Sequence, residues 1–333
     1  MRYFIKYILI NLFTMRILYG IQCTGNGHIT RSLKVIAKLK NLGHTVDILL
    51  SGKNFNITLP FEVKYRLNGF TFFNTANGGI NYLKTLGSFK LINFLRDISI
   101  NVDIYDKVIS DFEPITAWAC RLAGKKCYGI SNQYSFISKN TPRTNSCSVI
   151  GESILKWMAP VSDPIGLHFK KYDNFIYMPI ISDDIINYKS DDYGHSTVYL
   201  PSYSLAKTVS KLIQYPKRSF HIFNAEVKSI YRYENTLIYP VDKRTFINSF
   251  INCHSIITNS GFQTTSEALY MSKKLMVIST KGQYEQECNV KALSQLGIFS
   301  GKLSNVGDFM ESNKVVIDRW DDPTDSIISK ILN

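Results

Sequence analysis

The chain reads as an α/β protein of two doubly wound, Rossmann-like domains that face each other across a cleft. Three observations predict this: a strand–helix–strand unit at residues 15–51, a polar break near the middle of the 333 residues, and a second alternating series beyond it. At roughly 100–200 residues per domain, the length also suggests two.

Residues 15–22 form an apolar run that suits a buried strand. Between 29 and 42, Leu33, Ile36, Ala37, Leu39 and Leu42 recur at helical spacing, and Gly43 stops the helix. The next strand covers 45–51. Further along come a strand or loop at 70–77, a helix at 82–99, a short buried strand at 107–110, a helix at 115–124 and a strand at 126–131. The polar stretch IISDDIINYKSDDYGHS, from Ile180 to Ser196, marks the boundary. Beyond it, strands are expected at 197–200, 220–223, 236–239, 255–258 and 275–278. Helices are expected at 205–214, 243–253, 264–271 and 286–296. The division is a 1–14 extension, a first domain at 15–192 and a second at 193–333.

Apolar residues make up 45% and charged residues 20%, which excludes a disordered chain. The net charge is +13. Residues 1–192 hold 23 Lys and Arg against 14 Asp and Glu, a net +9, and residues 193–333 hold 16 against 12. Either the composition simply drifts toward Lys, or the first domain meets a polyanion, nucleic acid or an anionic membrane face. None of the six cysteines forms a C-x-x-C pair or sits at zinc-ligand spacing, so they read as reduced, structural thiols of a cytoplasmic protein. The opening MRYFIKYILINLFT is basic and then apolar. Asn11 interrupts it, no cleavage site follows, and it is shorter than the ~20 residues a bilayer needs. It is read as an amphipathic or disordered extension, or as sequence ahead of a start at Met15.

Two stretches carry chemistry. The first is Gly25-Asn26-Gly27-His28, between the first strand and its helix. Its glycines permit a tight turn and close approach of a ligand, the helix start offers free N–H groups, and His28 would project toward the cleft. Without a third glycine or a Lys-Ser/Thr ending, the loop is neither a dinucleotide fingerprint nor a P-loop, which argues against a dehydrogenase. The second runs from Ile256 to Leu293, IITNSGFQTTSEALYMSKKLMVISTKGQYEQECNVKAL. A buried strand ends at Asn259-Ser260-Gly261, a helix begins near Thr264, and Glu267 follows one turn in. A carboxylate there can accept the two hydroxyls of a ribose, with Ser260 and Gly261 toward phosphates. Gln283, Gln286 and Asn289 can bond sugar hydroxyls.

The segment SGFQTTSEAL followed by QECNVKAL resembles the donor-site signature of GT-B glycosyltransferases. The likeness is nearest to the branch of the UDP-N-acetylglucosamine transferase of peptidoglycan synthesis. The opening CTGNGHITRS and a strand ending in SDFEP also resemble short, uncharacterised GT-B proteins. Departures are Ser260 where Gly is frequent, Lys274 in place of Gly-x-Pro, and Val290 in place of Ala.

The resemblance implies an acceptor domain at 15–192, a nucleotide-sugar domain at 193–333, and a nucleotide-sugar donor, a UDP-sugar by the nearest branch, as co-substrate with no other cofactor. His28 becomes the general base of an inverting, metal-independent transfer, with Asp111 orienting it. Asp111 could itself be the base, as could Glu113, or Asp111 could cap the helix that opens at Pro114. Ser202, after the first strand of the second domain, is a donor-phosphate candidate or a turn residue. Arg31 would neutralise phosphate or cap a solvent face. In HFKKYDNFIYMP, Lys170 and Lys171 interleave with aromatics as in a nucleic-acid grip, or as in a strand with alternate residues buried.

The acidic pairs Asp183-Asp184, Asp191-Asp192 and Asp321-Asp322 read as solvated loops, so no metal site is expected. The expected acceptor is polyanionic, either modified DNA or a phosphate-linked lipid or glycan at the inner membrane face. No stable protein partner is evident. The competing readings are a sugar-nucleotide 2-epimerase and a non-catalytic nucleotide-sugar or nucleic-acid binder.

Overall fold

The computed structural model describes residues 14–23, 25–52, 59–70, 90–144, 148–189 and 191–333. Strand β1 (Arg16–Gln22) leads through helix α1 (Asn26–Asn41) to β2 (Thr45–Ser51). The short β3 (Tyr65–Leu67) and α2 (Leu91–Asp97) follow, then β4 (Lys107–Asp111), α3 (Pro114–Ala123) and β5 (Tyr128–Ser131). A 3-10 turn (Gln133–Ile137), α4 (Val149–Trp157), β6 (Asp163–Leu167) and β7 (Ile176–Tyr177) complete the first lobe. Its sheet has the order β3-β2-β1-β4-β5-β6-β7 and is parallel at every pairing. The order reverses beside β1, so the ends of β1 and β4 flank the switch point where ligands enter such sheets.

Helix α5 (Asp183–Ile186) leads into the second lobe. There the strands are β8 (Ser196–Tyr199), β9 (Phe220–Phe223), β10 (Tyr231–Tyr233), β11 (Thr236–Tyr239), β12 (Ser255–Asn259), β13 (Lys274–Ile278) and β14 (Phe299–Ser300). Their order is β10-β11-β9-β8-β12-β13-β14, parallel but for the β10–β11 hairpin. Helices α6 (Leu205–Leu212), α7 (Lys243–Asn252), α8 (Phe262–Tyr270), α9 (Tyr284–Gln295) and α10 (Val306–Glu311) cover it.

The final helix, α11 (Thr324–Leu332), corrects one expectation. It lies within the stretch assigned to the second domain but packs on the first lobe: Lys38 pairs with Asp325 at 2.8 Å and Lys330 with Asp163 at 3.0 Å. Ile327, Ile328 and Ile331 are buried in the same apolar cluster as Ile36 and Leu39 of α1. Each such side chain contributes about 1.5–3 kcal/mol by leaving water, enough to fold the tail back across the lobe junction.

The polar break is similarly tied down. Asp183 and Asp322 converge on Lys34 at 2.9 and 3.2 Å, and Asp184 pairs with Lys243. The expected strand or loop at 70–77 lies outside the described residues after Phe70. The expected helix at 82–99 is described only from 90, as α2. Of the cysteines, Cys147 lies outside the described residues and the other five are free and buried. No helix among the described residues is long and apolar enough to cross a membrane.

In the second lobe, His195 and His221 stack with ring centroids 3.8 Å apart, both bonded to Ser249. Burial pushes both imidazoles down, His221 to about 4. The unfolded chain, titrating near 6.5, therefore binds more protons below that pH. Stability should fall as pH drops from about 6.5 toward 4, and His221→Gln should shrink that fall when urea midpoints are compared across the range.

Candidate active site

A cavity of about 400 Å³ lies between the lobes. This is within the size range of small-molecule sites. One wall comes from Gly25, Gly27, His28 and Arg31 at the start of α1, with Phe112, Gln133 and the α4 residues Gly151, Ile154 and Leu155. The other comes from Gly261 to Thr264 at the start of α8 and Gln283 to Gln286 at the start of α9. Gly27 suits a close approach of the lobes: a Cβ there would stand 3.1 Å from Cβ of Gln263 on the opposite lobe.

The turn after β4 sets the polar centre. Phe112 adopts φ 50°, a strained left-handed conformation for a bulky residue, which divides two carboxylates. Glu113 turns to the start of α3, where it accepts from the N–H groups of Ile115 at 2.7 Å and Thr116 at 2.6 Å. It is fully buried, so this alternative base of the sequence reading is a helix cap, the role that had been open to Asp111. Asp111, also fully buried, turns to α1 instead.

Asp111 accepts from His28 Nδ1 at 2.8 Å, from Arg31 Nε at 2.8 Å and from Ser32 Oγ at 2.9 Å, and Arg31 Nη2 reaches its other oxygen. The ionised carboxylate can only accept, so this contact favours the tautomer with the proton on Nδ1, which leaves Nε2 as the lone-pair nitrogen of a ring that lines the cavity. Arg31 Nη2 also stands 2.6 Å from Nδ1, as two donors sharing one acceptor. Burial drives the Asp111 carboxyl upward, but Arg31 and His28 outweigh it and hold it below the usual range. Arg31 is thereby a buried partner of Asp111, also bonded to Ser131, at the edge of the cavity it helps to line.

The second-lobe candidates divide into residues that line the cavity and residues that hold the liners. Gly261, Thr264, Gln283 and Gln286 line it. Ser260 and Asn289 do not: Ser260 Oγ donates to the Gln286 carbonyl at 2.9 Å, and Asn289 Nδ2 donates to the Ser260 carbonyl at 3.0 Å. They clamp α9 against the β12–α8 turn. Ser202 bonds the Asn259 side chain at 3.0 Å, leaving its neighbour Pro201 to line the cavity.

Glu267 departs most from expectation. It accepts from Gln263 at 2.8 Å and bonds Ser182 in the crossing segment, and it is absent from the lining. One helical turn carries it below the cavity floor, and the crossing chain at 180–182 covers it. The ribose contact expected of Glu267 is thus not presented to the cavity, and Gln263, one turn earlier on α8, stands against Gly27 of the first lobe. Lys170 and Lys171 are exposed in the turn after β6 and do not line the cavity. The neighbouring His168 and Phe169 are buried, Phe169 lying 5.0 Å from Phe262, so this aromatic stretch joins the lobes.

One residue escaped the sequence reading. Glu285 lines the cavity and accepts from Gln133 Nε2 across the cleft at 2.7 Å. Burial raises its carboxyl, and His28 pulls it back. Its only sequence signal is its place one residue before Gln286. Next to it, Tyr284 donates to Glu152 at 2.6 Å and its ring covers Gly151, where an added Cβ would stand 2.5 Å from the ring. Gly151→Val should wedge α9 away from α4. The expected result is a fall in turnover of about a hundredfold with an increased radius of gyration by X-ray scattering.

Two facing doubly wound lobes, a histidine–carboxylate pair on one and paired helix starts on the other define a GT-B glycosyltransferase. Residues 15–313 match glycosyl transferase family 1, and the chain belongs to that family. A search of curated proteins returned no match.

Among similar solved structures is the glycosyltransferase SnogD from Streptomyces nogalater, with 15% identity, 88% of each chain covered and a TM-score of 0.52. The glycotransferase of kitacinnamycin is similar at 13% identity, 96% of this chain, 94% of that one and a TM-score of 0.56. UGT89C1 from Arabidopsis thaliana, solved with UDP-L-rhamnose, is similar at 11% identity, 96% of this chain, 89% of that one and a TM-score of 0.53. These likenesses establish the shared fold. They point to the family at large and not to the peptidoglycan branch in particular.

Proposed function

We propose that this glycosyltransferase moves a sugar from a UDP-linked donor to an acceptor hydroxyl with inversion, His28 acting as general base. The observation that carries it is the 2.8 Å contact of Asp111 with His28 Nδ1, which leaves Nε2 as the acceptor for a proton. The acceptor oxygen loses that proton as it bonds to the anomeric carbon, and the bond to the nucleoside diphosphate breaks. Charge developing on the departing phosphate meets the free N–H groups at the start of α8. No metal is assigned a step. Gln283, Gln286 and Glu285 line the cavity with donors and acceptors suited to sugar hydroxyls, and the UDP-sugar in the structure of the Arabidopsis protein supports the nucleotide.

The acceptor is proposed to be an amphipathic, phosphate-linked lipid or glycan. Its wall includes Phe112, Ile154, Leu155 and Met158, which suits an apolar moiety, while Lys170 and Lys171 lie away from it, which weakens the modified-DNA alternative. An epimerase would need several carboxylates around the sugar, whereas among the described residues Glu285 alone of the carboxylates lines the cavity. The test is a release assay. Nucleotide sugars are incubated with the protein, with and without lipid extract or hydroxymethylated DNA, and free nucleoside diphosphate is measured. UDP release from one donor, stimulated by lipid, is expected. Absence of turnover and binding for every donor would overturn the transferase reading, and stimulation by DNA would overturn the acceptor.

A further inference from the structure

Helix α4 separates two environments. Its Gly151, Ile154 and Leu155 line the reaction cavity. On the other side, helical spacing groups Val149, Ile150, Ser153 and Trp157, and the three apolar members are 76%, 57% and 49% exposed. Two further apolar residues of this lobe are exposed, Ile137 at 53% and Leu122 of α3 at 66%. Ile137 and Trp157 share a surface groove with Arg121 and Lys156. The Lys156 ammonium lies 5.0 Å from the Trp157 ring centroid, and the Arg121 guanidinium lies 5.6 and 6.0 Å from the Trp118 and Trp157 centroids. Glu152, the acid of the helix, is matched by Arg143 at 2.9 Å.

We propose that this α3–α4 face docks on an anionic phospholipid surface. Single exposed apolar residues are ordinary, but here three share one helical face and the tryptophan among them is flanked by two cations. Aliphatic side chains, a tryptophan and basic residues on one helical face are the combination that settles at a lipid–water interface. Val149, Ile150 and Leu122 have nothing to bond on a nucleic-acid backbone, and lysine is depleted from protein–protein interfaces. The net +9 of residues 1–192 adds long-range attraction to a negative leaflet. Because α4 touches both the surface and the cavity, docking would bring a lipid-anchored acceptor to His28. This last step rests on the transferase reading, whereas the docking does not.

The test is sedimentation of the full chain with vesicles of phosphatidylcholine alone or with about one-third phosphatidylglycerol, combined with tryptophan fluorescence. Binding at least about tenfold stronger to the anionic vesicles, with a blue shift, is expected. The variant I150S/W157S should lose most of that binding while its thermal midpoint and UDP binding stay near wild type. Equal binding to both vesicles, no binding, or undiminished binding by the folded variant would each overturn the proposal. So would a dimer in light scattering that the same substitutions abolish, since the face would then belong to a second copy. Loss of UDP binding by the wild-type chain would sink the transferase reading and leave the docking result standing.

Discussion

Asp111→Asn is expected to cost about 3–5 kcal/mol of folding stability and nearly all turnover. The carboxylate is fully buried and is the shared acceptor of Arg31, His28 and Ser32. An asparagine keeps the shape but leaves the Arg31 guanidinium, 3% exposed, without a counter-charge. Its amide also directs a donor toward groups that are themselves donors. Urea unfolding at neutral pH should show the loss. Adding Arg31→Met should recover much of the stability, because the stranded charge is gone, but not the turnover, because His28 still lacks its orienting partner.

The pH dependence has a definite sign. Because the folded pKa of Asp111 is depressed, its contribution is present above the unfolded value near 3.9 and is lost as pH falls through the folded value. Glu113 and Glu285 act oppositely. Burial raises them, so their contribution is present below their unfolded value and is lost as pH rises through the folded one. The difference between wild type and D111N across pH isolates the Asp111 part. Near-wild-type stability and turnover in D111N would contradict the arrangement.

His28→Gln is expected to lower kcat by about 10²–10⁴ while UDP affinity, measured by calorimetry, changes little. The ring lines the first-lobe wall, and the surface proposed for the nucleotide phosphates lies across the cavity at the start of α8. A large fall in UDP affinity would make His28 a binding residue. Retained turnover in H28Q, with loss in Glu285→Gln, would move the base to the other side of the cleft. Glu285 is the carboxylate that would take that role, since it faces the same cavity and is influenced by His28.

The alternation of apolar strands and helices was legible because each βα unit carries its own period and its own stops. The strands at 45–51, 220–223 and 236–239 stand where periodicity put them. Helix α4 and strand β6 were not legible. Gly151 and Glu152 interrupt the apolar period of α4, and both are explained by Tyr284, which comes from the other lobe. The nearness of His28 to Asp111 could be expected, since β1 and β4 end at one sheet edge. Which of Asp111 and Glu113 would face the histidine could not, because it depends on the backbone at Phe112.

By itself the sequence determined what is local: the periodicities that make two largely parallel sheets, the glycines that open α1, and the proline that opens α3. Tertiary structure alone decided what depends on chain segments far apart. It buried Glu267 beneath residues 180–182, brought Glu285 to Gln133, and folded α11 back onto the first lobe. The physical reason is that a side chain's charge and exposure are set by the elements packed over it, and sequence spacing describes only the element it stands on.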